Sequence, residues 1–145
     1  MPLEQSIDFK EESNSLYNIL KEKNDDVFNS ATQFKSWTIN DVLYHLHVWN
    51  NAAYLSLTDE KKFSKFMEDF FKAIKQGKSA RSYEKELSNN KSGQDLLLEW
   101  KNGYEKISKE FLKADPKKRV KWAGPDMSVR SSITARHMET WSHGQ

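Results

Sequence analysis

Three ionisable side chains in two distant parts of the chain have the types and spacing that metal binding requires. His45 lies in the first third of the sequence, and Glu139 and His143 follow near its end. Four residues along a helix correspond to a rotation of about 40°, so Glu139 and His143 project from one helix face. Two imidazoles and one carboxylate can hold a divalent cation and leave coordination positions open for water or substrate. We therefore interpret His45, Glu139 and His143 as candidate metal ligands.

The composition limits both the class of protein and the metal chemistry. The 145 residues suffice for one domain, 1–145, with a continuous core. The chain has no cysteine, so metal ligands must be nitrogen or oxygen, and any thiol must come from a bound molecule. A net charge of +2 with interspersed signs gives no electrostatic case for nucleic acid. With neither a signal-peptide pattern nor an apolar run of the roughly 20 residues that span a membrane, we expect a cytoplasmic protein.

Periodicity and punctuating residues predict an all-α chain. Apolar residues recur at spacings of three and four along most of the sequence, and no segment alternates convincingly like a strand. Helices are predicted over 3–23, from 39 to about 57, over 59–76, from 93 to about 114, and after a cap at Ser128 or Ser131. Four principal helices pack most simply as an antiparallel bundle, with 59–76 as an extra helical stretch between the second and third.

The start of the second helix has its own sequence signal. Thr38 is of a type that caps helices, and Asp41, at the third helical position, suits the positive end of the helix dipole. The signal therefore places His45 on a helix, where its direction can be compared with that of its neighbours.

Helical geometry separates the four histidines of the chain. His45 shares its face with apolar residues, so we expect it to be buried, whereas His47 lies about 160° away and is expected to face mainly solvent. His137 points nearly opposite to Glu139. The alternatives are a hydrogen-bonded core histidine at position 45 and an ordinary surface pair between Glu139 and His143.

Two further residues are candidates for binding a substrate. Arg136 lies about 60° from Glu139 on the last helix and could receive an anionic group. A salt bridge to Glu139 is the alternative. Trp122 lies in the loop 115–127 beside Lys121 and could help to orient a ligand, and a solvated basic loop is the alternative there.

Two parts of the sequence resemble the DinB-like metal-binding bundles. Residues 37–46, Trp-Thr-Ile-Asn-Asp-Val-Leu-Tyr-His-Leu, look like the start of the second helix in these proteins. They are most similar to the metal-binding domain of mycothiol-dependent maleylpyruvate isomerase and to a related uncharacterised group. Two later segments, 124–128 and 135–145, also resemble that second group. The resemblance implies a four-helix bundle with His45, Glu139 and His143 as ligands, zinc as the metal and nickel as a second candidate.

The resemblance also implies a function. It indicates a divalent-metal-binding protein, a metal-dependent thiol transferase or isomerase that acts with a low-molecular-weight thiol on a small electrophilic substrate. The alternative is a metal-binding helical module without catalysis. Metal-assisted hydrolysis would need a general base besides the ligands, and none stands out. Relatives usually continue past the last ligand, so we expect this chain to lack their C-terminal extension.

Overall fold

The computed structural model of the protein describes residues 3–32 and 35–143. Within them the helices are α1 (Glu4–Leu20), α2 (Ile39–Thr58), α3 (Glu60–Lys75), α4 (Ala80–Leu87), α5 (Gly93–Leu112) and α6 (Val129–His143). A 3-10 helix, Asp25–Asn29, follows α1, and the two-residue strands β1 (Arg119–Val120) and β2 (Met127–Ser128) pair antiparallel before α6. The prediction of an all-α fold is confirmed. Among the described residues, no helix is both long and apolar enough to cross a bilayer.

The structure differs from the sequence prediction at the end of α1, at α4 and at the β1–β2 pair. The first helix ends at Leu20 rather than residue 23, because the amide side chain of Gln94 donates to the carbonyls of Leu20 and Lys23 and the chain turns there. Helix α4 was missed, since eight residues contain too few repeats to show a period; Ser79 caps it by accepting from the Ser82 amide. The β1–β2 pair was missed because two residues cannot alternate.

Helices α1, α2, α5 and α6 form a four-helix bundle in which α1 and α2 each pack against both α5 and α6. Helices α1 and α5 run antiparallel. The Leu3 amide donates to the Leu112 carbonyl where α1 begins and α5 ends, and Gln94 reaches the Leu20 carbonyl at the opposite end. The bundle and the extra helical stretch between its second and third helices therefore agree with the sequence prediction.

Helices α2 and α5 run parallel, whereas the sequence analysis predicted an antiparallel bundle. The Gly93 amide donates to Asn40 Oδ1 where both helices begin, and the Lys106 ammonium lies 4.1 Å from the centre of the Tyr54 ring farther along both. A parallel pair requires a long connection that returns the chain to the same end of the bundle. The segment with α3 and α4 is this connection, and it covers one side of α2.

The core consists of large apolar side chains from all four bundle helices. The fully buried ones include Phe9 of α1, Leu43 and Leu46 of α2, Trp100, Tyr104 and Phe111 of α5, and Ile133 of α6. Burial of each such side chain contributes about 1.5–3 kcal/mol relative to exposure. A second apolar cluster joins α2 to α3 through Ala52, Phe63 and Met67.

Helix α2 begins where the sequence predicts, with a complete capping box. The Asp41 amide donates to Thr38 Oγ1 at 3.0 Å, and the Thr38 amide donates to Asp41 Oδ2 at 3.0 Å. Two backbone donors of the first turn are satisfied in this way. The box therefore determines where α2 starts and the direction in which His45 projects.

We expect the Thr38→Ala variant to be less stable than the natural protein by about 1 kcal/mol, because a cap hydrogen bond is lost. Thr58→Ala is the matched control, since Thr58 is exposed at the other end of α2 and donates only to the Tyr54 carbonyl of the preceding turn. It should change stability by less than about 0.5 kcal/mol. Urea unfolding measures both values, and equal losses would contradict the role of the cap.

Candidate metal centre

The three residues selected from the sequence meet where α2 and α6 lie side by side. Glu139 Oε2 lies 3.3 Å from His45 Nε2 and 2.7 Å from His143 Nε2. One potential ligand atom from each residue lies within 4.8 Å of the other two. Farther along α2, Asn50 contacts Arg136, which precedes Glu139 on α6, so the two helices run antiparallel. This arrangement brings together His45 and Glu139, which are 94 positions apart.

The imidazoles lie inside the site and the carboxylate lies at its edge. The side chains of His143 and His45 are 8% and 16% exposed, and that of Glu139 is 39% exposed. The Trp37 indole stacks on the His143 ring, with centroids 5.5 Å apart, and meets the His45 ring at an angle with centroids 5.6 Å apart. The site is therefore shielded by Trp37 and open to solvent at Glu139.

The donor set fits a divalent cation of the zinc or nickel type. Two imidazole nitrogens and a carboxylate oxygen are ligands that such ions accept. Metal–ligand bonds of about 2.1 Å place the donors of a tetrahedral site about 3.4 Å apart. The two contacts of Glu139, at 2.7 and 3.3 Å, are close to that separation, so small side-chain movements would open the cluster around an ion.

Hydrogen bonding shifts the pKa values of Glu139 and His45. Contacts with His143 and His45 hold the pKa of Glu139 well below its usual range, although burial acts in the opposite direction. Burial alone would lower the pKa of His45, but hydrogen bonds to Glu139 and to Glu84 outweigh it and the pKa is raised. Glu139 is therefore ready to act as an anionic ligand.

Glu84 on α4 is a site residue that the sequence analysis missed. Its carboxylate is completely buried, with Oε2 3.0 Å from His45 Nδ1 and 2.8 Å from the Trp49 indole nitrogen that donates to it. Arg81 donates to both of its oxygens, at 2.6 and 2.9 Å. Burial would raise the pKa of Glu84, but the hydrogen bonds from His45 and Arg81 lower it. The available signal was the i,i+3 pair of Arg81 and Glu84 after a Ser cap.

The expectation that His47 faces mainly solvent is wrong. Its side chain is 15% exposed, its Nε2 lies 3.3 Å from Glu99 Oε1 on α5, and a Cβ built on Gly103 would approach its ring within 3.1 Å. The parallel helix α5 covers this face of α2. Burial lowers the pKa of His47, and the charge of Glu99 opposes this only in part.

Arg136 lies on α6, one turn before Glu139, and is almost completely buried. Its Nε donates to Asn50 Oδ1 at 3.0 Å, so its side-chain hydrogen bond goes to α2 rather than to Glu139. Its Nη2 is buried and makes no hydrogen bond within 3–32 and 35–143. Burial lowers the pKa of Arg136 to about 10.

Trp122 does not touch the three candidate ligands. It stacks on Phe63, with ring centroids 5.8 Å apart, and meets Trp49 edge-on at 5.9 Å. The Trp49 ring in turn lies 6.4 Å from that of His45. Trp122 is therefore one aromatic ring removed from the site, and its neighbour Lys121 pairs with Glu60 on α3.

We expect the His47→Gln variant to lose less stability than the natural protein as pH falls. Because the folded pKa of His47 is lowered, the unfolded chain binds this proton more readily. The stability contributed by the neutral ring is complete above the unfolded pKa of about 6.5 and is lost as pH falls through the lower folded value. Urea unfolding in a chelator, from about pH 8 to about pH 5, measures the difference. Identical pH dependences would exclude a buried neutral ring.

Comparison with known proteins places the chain in a family. Two curated proteins of Mycobacterium tuberculosis, Uncharacterized protein MT0041 and Uncharacterized protein Rv0036c, are each 30% identical to it over 137 residues. The matches cover 94% of this chain and 52% of each relative, so the chain spans about half the length of these relatives. Residues 9–145 match the family described as Mycothiol maleylpyruvate isomerase N-terminal domain. The chain belongs to the mycothiol maleylpyruvate isomerase N-terminal domain family, which confirms the resemblance stated from its sequence.

Proposed function

We propose that this chain binds a divalent metal through His45, Glu139 and His143, zinc first and nickel second. We further propose that it is a thiol transferase or isomerase that acts with a low-molecular-weight thiol on a small electrophilic substrate. The observation that carries the proposal is the convergence of the three donor atoms within 4.8 Å of one another at a half-open site. Membership of the isomerase domain family supports the thiol chemistry.

The chain's own residues define how such a site would work. A bound divalent metal supplies a Lewis acid that lowers the pKa of a coordinated thiol. Since the chain has no cysteine, that thiol belongs to a cosubstrate. Glu139 contributes the negative charge, and its exposed side leaves the approach from solvent open. Trp37 covers both imidazoles and keeps water from that side.

We propose that Arg136 and Trp122 bind the substrate. Arg136 carries a buried positive charge one turn from Glu139, and its Nη2 makes no hydrogen bond within the described ranges, so an anionic group of the substrate would supply the acceptor that it lacks. Trp122 extends the apolar wall formed by Trp49 and Phe63 and would contact an apolar part of the substrate.

The first prediction from this proposal concerns metal affinity. We expect His45→Ala, Glu139→Ala and His143→Ala each to weaken zinc binding by more than about 100-fold. Loss of a residue that only orients a metal ligand costs at most about 100-fold, and loss of a ligand itself should cost more. Titration against a competing chelator measures the affinity. His47→Ala and His137→Ala are the histidine controls and should retain the natural affinity. Loss of binding in His137→Ala with retention in His143→Ala would exclude the proposed ligand set.

The second prediction concerns catalysis. We expect the zinc-loaded protein to accelerate the reaction of a small electrophile with at least one thiol of a panel, and the chelated protein and Glu139→Ala to lack this rate. Metal at about 100 times its Kd should also raise the free energy of unfolding by about 2.7 kcal/mol. Stabilisation by metal without turnover of any thiol would reject the enzyme and identify the non-catalytic module.

A further inference from the structure

Arg81 of α4 lies behind the candidate metal centre and contacts the surroundings of both histidines. Its guanidinium donates to Glu84, the carboxylate that contacts His45. Its Cζ also lies 4.0 Å from the centre of the Trp37 ring, and that ring stacks on His143. Arg81 is therefore connected to both imidazoles, to His45 through Glu84 and to His143 through Trp37.

The path to His45 is a chain of charged hydrogen bonds. Arg81 Nε and Nη2 donate to the two oxygens of Glu84, which is held between Arg81, the Trp49 indole and His45 Nδ1. Arg81 Nη2 also lies 3.3 Å from His45 Nδ1, but the 3.0 Å contact with Glu84 is shorter and its oxygen can only accept. We assign a hydrogen to Nδ1 on this network, so Nε2, which lies on the side of Glu139, is the nitrogen that would bind a metal.

The path to His143 consists of stacked planar groups. The guanidinium of Arg81 lies over the Trp37 ring, an arrangement stabilised by cation–π attraction. The Trp37 and His143 rings are nearly parallel, with an interplanar angle of 9°. Rotation of the His143 ring would therefore disturb a stack to which Arg81 also contributes.

We propose that Arg81 is a positioning residue that fixes both imidazoles for metal binding, His45 through Glu84 and His143 through Trp37. The inference rests on the proposed metal site. Partners of this kind fix the tautomer and orientation of a metal-binding imidazole, and their loss typically costs 10- to 100-fold in affinity. Both functions of Arg81 require a planar fork that binds a carboxylate at two points and stacks on an aromatic face, which lysine does not provide.

The test compares zinc affinity in variants with matched controls. We expect Arg81→Met and Glu84→Gln to weaken zinc binding by about 10- to 100-fold, and Arg81→Lys to resemble Arg81→Met because it keeps only the charge. Arg130→Met and Glu86→Gln are the controls, since both residues are exposed and Glu86 shares α4. Both should bind zinc within about twofold of the natural protein, as exposed residues away from a site do.

Two further measurements separate positioning from folding. The melting temperature in chelator reports the stability of each variant, and affinity should fall even where that temperature is retained. Imidazole 15N shifts of the zinc-loaded proteins report which nitrogen is coordinated. We expect Nε2 alone for His45 in the natural protein and in Arg130→Met, and a mixture of Nε2 and Nδ1 in Glu84→Gln.

The outcomes are distinguishable from failure of the metal site itself. If the natural protein binds no zinc, nickel or cobalt, the proposed function fails and the inference fails with it. If the natural protein binds zinc and the Arg81 and Glu84 variants bind equally well, only the inference is overturned. If Arg81→Met fails to fold, the zinc affinities of Arg81→Lys and Glu84→Gln still test the positioning role, since both variants keep a polar group at the same place.

Discussion

The hydrogen bonds that compensate the buried carboxylate of Glu84 determine how the residues around the site are arranged. A charge removed from water is tolerated only when hydrogen bonds and opposite charges compensate it. Trp49 and His45 of α2 and Arg81 of α4 provide them. These hydrogen bonds fix the position of α4 against α2, and the one to His45 orients its ring. Loss of any partner would remove part of the compensation of the Glu84 charge, so we expect the group to act as one unit.

The parallel pairing of α2 and α5 explains why α4 is present at that place. Parallel neighbours need a long return connection, and here it contains two helices. Helix α3 covers the apolar side of α2 through Phe63 and Met67, and α4 covers the side that bears His45. A connection required by topology therefore also supplies the polar environment of the candidate metal centre. Helix α5 packs against a further side of α2 and buries His47 against Gly103.

The parts of the structure that could be predicted from sequence are those that depend on local geometry. Glu139 and His143 share a helix face by spacing alone, and the Thr38 cap gives the direction of His45 on α2. The misjudged parts depend on which element covers a surface. His47 was expected in solvent because its face of α2 carries polar residues, and only the position of α5 shows that it is buried. Glu84 was missed because α4 is too short to show a period and its partners are distant in sequence.

The pairing of α2 with α6 has a consequence for how the protein is made. The proposed ligands lie on α2 and on the last described helix, α6, so a growing polypeptide presents His45 long before Glu139 and His143 exist. A cation that arrived at this stage would find only one of the three proposed ligands and would bind weakly. On the proposal made above, tight metal binding requires α6 to have been synthesised and to have packed against α2.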